Sequence, residues 1–211
     1  MAMVEDAFRL SQLLCARLCH DLGGLAETLN GMLDLAAEEP HQPSETLRFA
    51  GEAAADLTSR IRLLRAAWGP DSGPLDVAQI RVLAEALPGR HRMTLDFSGV
   101  PRTKVFGDGS GRVLLNLMLL GAESLPGGGT LTLAGSDSNV AVTIAGSRAA
   151  WPAGFAAMLS DNTAAWAALT SARTLQAPLT ALLAGSLGLR LSLQTVPART
   201  RAPPPVLLTM G

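Results

Sequence analysis

The chain has 211 residues, 48% hydrophobic and 17% charged, which is enough apolar material for a packed core and argues against disorder. Seventeen basic residues against eighteen acidic ones leave a net charge of −1, which excludes a nucleic-acid footprint built on bulk charge. The longest uncharged stretch, Thr174 to Leu189, is shorter than the about 20 residues of a membrane helix and carries Pro178 and two glycines, so no membrane span is expected. The opening MAMVEDAFRL has no basic region followed by an apolar one, so no secretory signal is expected either. The two cysteines, Cys15 and Cys19, lie one helical turn apart and fit reduced thiols, hence a cytoplasmic protein.

Charge divides the chain. Residues 1–68 hold 10 acidic and 6 basic residues, and residues 69–211 hold 8 acidic and 11 basic. The break falls in Gly69-Pro70-Asp71-Ser72-Gly73-Pro74, a run of turn formers. Two domains are therefore expected, 1–70 and 74–211.

The first reads as a helical hairpin. Leu14, Leu18, Leu22, Leu25, Leu29, Met32 and Ala36 form one apolar stripe at helical spacing. Pro40-His41-Gln42-Pro43 interrupts it, and Ser44 is a candidate cap for a second helix. In that helix Leu47, Ala50, Ala54, Leu57, Ile61, Leu64 and Trp68 alternate by three and four, as a heptad seam does. The short connection makes the helices antiparallel neighbours. Two helices cannot bury both stripes against each other, and each large side chain left wet forfeits about 1.5–3 kcal/mol. A second copy would complete a four-helix bundle, so a homodimer is expected.

The second domain mixes elements. Asp76 caps a helix to about Leu87, and Met93, Leu95 and Phe97 alternate as in a half-buried strand. Gly107 to Gly111 opens an apolar helix from Val113 to Ser124, with Asp108 as the expected cap. Gly127-Gly128-Gly129 follows, then a hairpin of Thr130–Ala134 and Val140–Ile144 around Ser136 to Asn139. Two alanine-rich helical stretches, 153–159 and 163–187, are broken at Pro178. Leu189 to Val196 is a strand, Arg199 to Pro205 a loop and Val206 to Thr209 a last strand. The fold class is α+β, with helices on one face of a sheet.

Three histidines are candidates for chemistry. His41, in the turn, and His91, before a strand, read as solvated. His20 differs. It lies between Leu18 and Leu22 of the apolar stripe, so at about 100° per residue it points away from the core. Gly24, Glu27 and Gly31 stack with it on the exposed face. Exposed glycine in a helix costs about 1 kcal/mol relative to alanine. Gly23, Gly24 and Gly31 therefore clear space either for a partner protein's backbone or for the second helix. Cys15, Cys19 and His20 do not converge as zinc ligands would, and the cysteines read as small, semi-buried hydrophobes. Arg17 and Asp21, four residues apart, read as a surface ion pair. Geometry alone points Asp21 about 100° away from His20. The sequence holds no P-loop, nucleophile elbow or His-Glu-x-x-His zinc motif.

Cys19-His20-Asp21-Leu22, on the first helix of a hairpin, resembles the phosphoacceptor motif of sensor histidine kinases, and Leu13-Leu14-Cys15-Ala16-Arg17-Leu18-Cys19-His20-Asp21-Leu22 is similar to the ChpT-type histidine phosphotransferases. Val105-Phe106-Gly107-Asp108, Arg112 to Leu120 with Asn116, and Gly128-Gly129-Thr130-Leu131-Thr132-Leu133 resemble the N-box region of the kinase ATPase domain. The resemblance spans about 10–70 and 76–195. It implies a dimeric kinase-like hairpin followed by a degenerate α/β ATPase sandwich. It departs from kinases where their metal-binding second asparagine should stand, which is Leu120, and where an adenine-reading aspartate should follow the strand, which is Ala145-Gly146-Ser147-Arg148. No glycine-rich lid motif follows, and the usual proline five residues after the histidine is Leu25, which predicts a straighter helix.

The resemblance implies a histidine phosphotransferase of a two-component phosphorelay, shuttling phosphoryl groups between receiver aspartates through His20. Asp21 matches the family acid that assists the histidine. Arg17 either meets phosphoryl oxygens or holds Asp21, and Gly24, Glu27, Thr28 and Gly31 form the docking stripe. No cofactor is expected, because the receiver supplies the magnesium. The implied partners are a hybrid kinase's receiver and CtrA-type response regulators, without nucleic acid or membrane. Two other readings stand beside it: an ATP-dependent histidine kinase with an unusual nucleotide site, and a non-catalytic dimeric scaffold or kinase inhibitor.

Overall fold

The computed structural model describes residues 2–38, 43–70, 73–195 and 202–210. The chain opens with two long helices, α1 (Ala2–Glu38) and α2 (Pro43–Trp68). Arg60 of α2 stands within electrostatic reach of Arg17 and Asp21 of α1, so the helices run antiparallel. Helix α1 passes Leu25 without a break. The stripe Leu14, Leu18, Leu22, Leu25, Leu29, Met32 and Ala36 is half-buried along its whole length. His41 and the candidate cap Ser44 lie outside the residues whose side chains are described.

The predicted α2 seam is split. Leu64 is buried and Trp68 packs with it into the core of the α/β region, whereas Leu47 and Ile61 remain exposed. The heptad pattern records two demands on one helix: its last turns face the following α/β region, and before them Ala50 is buried while Leu47 and Ile61 stay open.

After β1 (Leu75–Asp76), Asp76 caps α3 (Val77–Ala84). Its carboxylate accepts from the Gln79 backbone N–H while the Gln79 side chain accepts from the Asp76 N–H. Strand β2 (Met93–Gly99) follows, then β3 (Val105–Phe106), which pairs with β1. Helix α4 (Ser110–Glu123) leads to the hairpin β4 (Gly129–Gly135) and β5 (Asn139–Ala145). Helices α5 (Phe155–Ser160), α6 (Asn162–Ala167) and α7 (Gln176–Ser186) precede β6 (Arg190–Leu193) and β7 (Val206–Thr209).

The main sheet has the order β2-β4-β5-β7-β6, with β2 parallel to β4 and the other neighbours antiparallel. Leu131, Leu133, Val140, Val142, Ile144, Val206 and Leu208 are buried, while the alternate residues of β4 and β5 are only partly covered. One face of the sheet therefore carries the core, covered by α4, and α7 packs on α4. The fold is α+β.

Two local expectations are corrected. Asp108 does not cap α4: Gly109 holds that position at φ 76°, with no side-chain cap, and Asp108 itself sits at φ 50°. Two successive left-handed residues turn the chain from β3 into α4. A side chain at Gly109 would also collide with Leu187, whose Cδ1 lies 2.6 Å from the Cβ position. Pro178 does not break a helix. It lies in the first turn of α7, where N–H groups have no intrahelical partner. The interruption falls earlier, between Ala167 and Gln176.

Candidate functional site

His20 projects from the middle of α1 with its side chain 79% exposed. Asp21 and Arg17 flank it but are almost covered, at 10% and 12%. They are therefore not the surface ion pair that spacing suggests, because the α/β region closes over them. Arg17 Nε donates to Asp21 Oδ2 at 2.8 Å, Nη2 donates to Glu123 Oε1 at 2.5 Å and Nη1 donates to the Ala172 carbonyl at 3.3 Å. Burial works to lower the Arg17 pKa, but the carboxylates of Glu123 and Asp21 outweigh it and the net shift is upward. Burial raises the pKa of Glu123 above the ordinary glutamate range, although Arg17 pulls the other way. Burial lowers that of Arg60, which faces Asp21 and Arg17 from α2.

Asp21 Oδ1 lies 3.1 Å from His20 Nδ1. This corrects the expectation that successive helical residues diverge too far to meet. The two side chains bend toward each other, and Arg17 holds the far oxygen. A carboxylate only accepts hydrogen bonds, so in the neutral ring this pairing assigns the imidazole proton to Nδ1 and leaves Nε2 with a lone pair.

His20 borders a cleft of about 720 Å³ with Arg17, Leu120, Glu123, Ser124 and Arg173. Leu120, where a kinase has its metal-binding asparagine, is buried and apolar. The first asparagine, Asn116, is buried and fully used within the protein. Its carbonyl accepts from Trp68 Nε1 at 3.1 Å and Gln176 Nε2 at 2.9 Å, and its amide donates to the carbonyls of Ala67 at 2.8 Å and Arg112 at 2.9 Å. Asn116 thereby ties α2, α4 and α7 together. Among the described residues no three His, Cys, Asp or Glu side chains are grouped as metal ligands would be.

Gly24, Glu27, Thr28 and Gly31 continue the exposed face of α1 beyond His20. A Cβ built on Gly23, Gly24 or Gly31 meets nothing within 4 Å. Packing against the second helix thus does not explain these glycines. Cys15 and Cys19 are exposed free thiols rather than semi-buried ones, because they lie off the stripe that faces α2. His91 is exposed. Sequence reasoning missed Glu123. Its signal was available: it is the only charged residue between Val113 and Ser124.

The chain matches the family model described as the histidine phosphotransferase C-terminal domain over residues 77–199, more than half its length. It belongs to this family. The ChpT-type assignment is supported further by a relative, the protein phosphotransferase ChpT of Brucella abortus (strain 2308), 27% identical over 199 residues, which cover 89% of this chain and 91% of that protein. A solved structure described as a bacterial phosphotransferase shares the fold, with a TM-score of 0.71 at 23% identity over 96% of each chain. The family model begins at α3 and leaves the hairpin out, whereas the relative and the solved structure span nearly the whole chain. The chain is thus a ChpT-like histidine phosphotransferase of α+β architecture. Among its described helices none is long and apolar enough to cross a membrane.

Proposed function

We propose that this histidine phosphotransferase works in a phosphorelay, taking a phosphoryl group from one receiver-domain aspartate onto His20 and passing it to another. The observation that carries the reading is the state of the imidazole: an exposed ring whose Nδ1 is held by Asp21, so that Nε2 faces outward as the nucleophile. Phosphoryl transfer asks mainly for in-line positioning and charge neutralisation, and a receiver brings its own aspartate and magnesium. This chain then needs no cofactor of its own. The stripe Gly24, Glu27, Thr28 and Gly31 is the receiver-docking face, where a partner's backbone can approach closely. CtrA-type regulators and a hybrid kinase's receiver are the expected partners, in the cytoplasm.

Two further features belong to this reading. The chain is a homodimer through the hairpin, because Leu33, Leu35, Leu47, Phe49 and Ile61 remain exposed on a single copy. The α/β region binds no ATP, since Leu120 replaces the metal ligand and no acid follows β5.

The deciding experiment incubates the protein with a CtrA-type receiver domain loaded from labelled acetyl phosphate. Acid-labile label should appear on the wild type and vanish in His20→Ala. Label on that variant refutes the reading. Saturable ATP binding by calorimetry below about 1 mM, roughly −4.1 kcal/mol, would restore the kinase alternative.

A further inference from the structure

His20 and Asp21 stand on the hairpin, but the group that steadies them stands on α4. Adjacent helical residues diverge by about 100°, so Asp21 reaches His20 only with its carboxylate turned along the helix surface. Its two oxygens divide the work: Oδ1 faces His20 Nδ1 and Oδ2 takes Nε of Arg17. The plane of the guanidinium therefore sets the plane of the carboxylate. An arginine ending in solvent would sample many rotamers. This one is held from the far side by Glu123 and the Ala172 carbonyl, 106 and 155 residues away in sequence.

Glu123 is costly where it stands. It occupies the last turn of α4, where the helix carbonyls disfavour a carboxylate, in a helix otherwise uncharged from Val113. Its side chain is only 26% exposed and its partner in the structure is Arg17. Two unfavourable placements, helix end and burial, are opposed by the contact with Arg17, and that contact leads to the phosphoacceptor.

We propose that Glu123 is a positioning residue for phosphotransfer: acting through Arg17, it holds the Asp21 carboxylate against His20 Nδ1 so that Nε2 is presented as the unprotonated nucleophile. This rests on the phosphotransfer reading of His20. In the step itself the Nε2 lone pair attacks the phosphorus of the receiver's aspartyl phosphate. A P–N bond forms, the acyl P–O bond breaks, and its electron pair leaves on the receiver's carboxylate. Nδ1 keeps its proton, and the positive charge that grows on the ring lies beside Asp21. Arg60 faces Asp21 and Arg17 from α2, and Arg173 lines the same cleft. Asp21 therefore keeps cationic neighbours when Glu123 is removed, so what the variant loses is orientation.

The test uses the full-length protein and a CtrA-type receiver domain loaded from labelled acetyl phosphate. Glu123→Ala should lower the maximal transfer rate about 10- to 100-fold with the half-saturating receiver concentration unchanged. The ¹⁵N shifts of His20 should move from one Nδ1–H tautomer to a mixture. Glu123→Gln, which keeps an acceptor oxygen for Arg17, should recover most of the rate. Arg17→Lys, whose compact ammonium lacks the planar fork that holds Asp21 on Nε and Glu123 on Nη2, should reproduce the loss and serves as a second probe of the same link. The double variant Glu123→Ala/Asp21→Asn should be no slower than Asp21→Asn alone. Wild-type rate and tautomer in Glu123→Ala, measured well below its melting temperature, overturn the proposal, whatever Arg17→Lys does. Multiplicative losses in the double variant also overturn it, since Glu123 would then act by another route. Label on His20→Ala would sink the phosphotransfer reading itself. A dead His20→Ala beside a fully active Glu123→Ala removes only the role of Glu123.

Discussion

Helices α1 and α4 show opposite ways of using apolar residues. From Val4 to Glu38, α1 has no fully buried residue, although its stripe runs its whole length. Twelve of the fourteen residues of α4 are buried. Helix α4 is wrapped by the sheet, α7 and the end of α2, and it completes its core within one chain. The hairpin offers α1 one neighbour for most of its length. The α/β region is thus a self-sufficient core, while the hairpin holds His20 on a surface that a single chain leaves half open. Damage to the first should be independent of protein concentration, whereas damage to the second should depend on it.

The comparison can be broken at its strongest point first. Leu117→Ala in α4 should cost about 2–5 kcal/mol, read as a lower urea midpoint that is the same at every protein concentration. Asn116→Ala strips partners from the Trp68 indole, the Gln176 amide and the Ala67 carbonyl. It should cost about 2–4 kcal/mol and loosen the hairpin from the α/β region, seen as earlier hydrogen exchange at the end of α2. On the hairpin, Ile61→Asp removes about 1.5–3 kcal/mol of apolar burial only if a second copy covers this residue, which is 45% exposed in one chain. Light scattering should then show monomers with an intact near-ultraviolet spectrum, and a persistent dimer would move the interface elsewhere. Leu57 serves this purpose less well, because it is already half-buried within one chain.

Gly31→Ala should stabilise the hairpin by up to about 1 kcal/mol, because nothing crowds its Cβ. It should also raise the receiver concentration needed for half-maximal transfer. A stabilised variant with unchanged receiver affinity would remove Gly31 from the docking face. The smallest effect is on pH. Burial raises the Glu123 pKa above its ordinary 4.5, against the pull of Arg17. The folded state therefore binds this proton more readily than the unfolded chain. Its contribution to stability grows as pH falls through the raised value toward 4.5 and is lost as pH rises again. Acidification should consequently add stability from this group and leave transfer close to the Glu123→Gln rate, because the protonated carboxyl, like the amide, keeps an acceptor oxygen for Arg17. Parallel pH profiles of rate and melting temperature in wild type and Glu123→Gln check this.

Much of the fold was legible because its signals are local. The α1 stripe, the Asp76 cap and the β4–β5 hairpin each depend on residues within a few positions of one another. The exposure of His20 was legible for the same reason, since helical phase needs only its neighbours. The α2 seam misled because a periodic pattern states that a face is buried without stating against what. Asp108 misled because capping preference yielded to the backbone turn between β3 and α4.

By itself the sequence determined the two kinds of architecture, the exposed histidine and the clear face of glycines beside it. These follow from periodicity and residue type, which act over a turn or a few strand residues. Only the tertiary structure decided what holds the histidine. It turned a surface ion pair into a buried one, brought Glu123 and the Ala172 carbonyl onto Arg17, and spent Asn116 on joining the hairpin to the α/β region. Those contacts join residues about fifty to more than 150 positions apart. Spacing carries no signal over such separations, because the packing of a helix against a distant element, rather than its own phase, sets which polar groups meet.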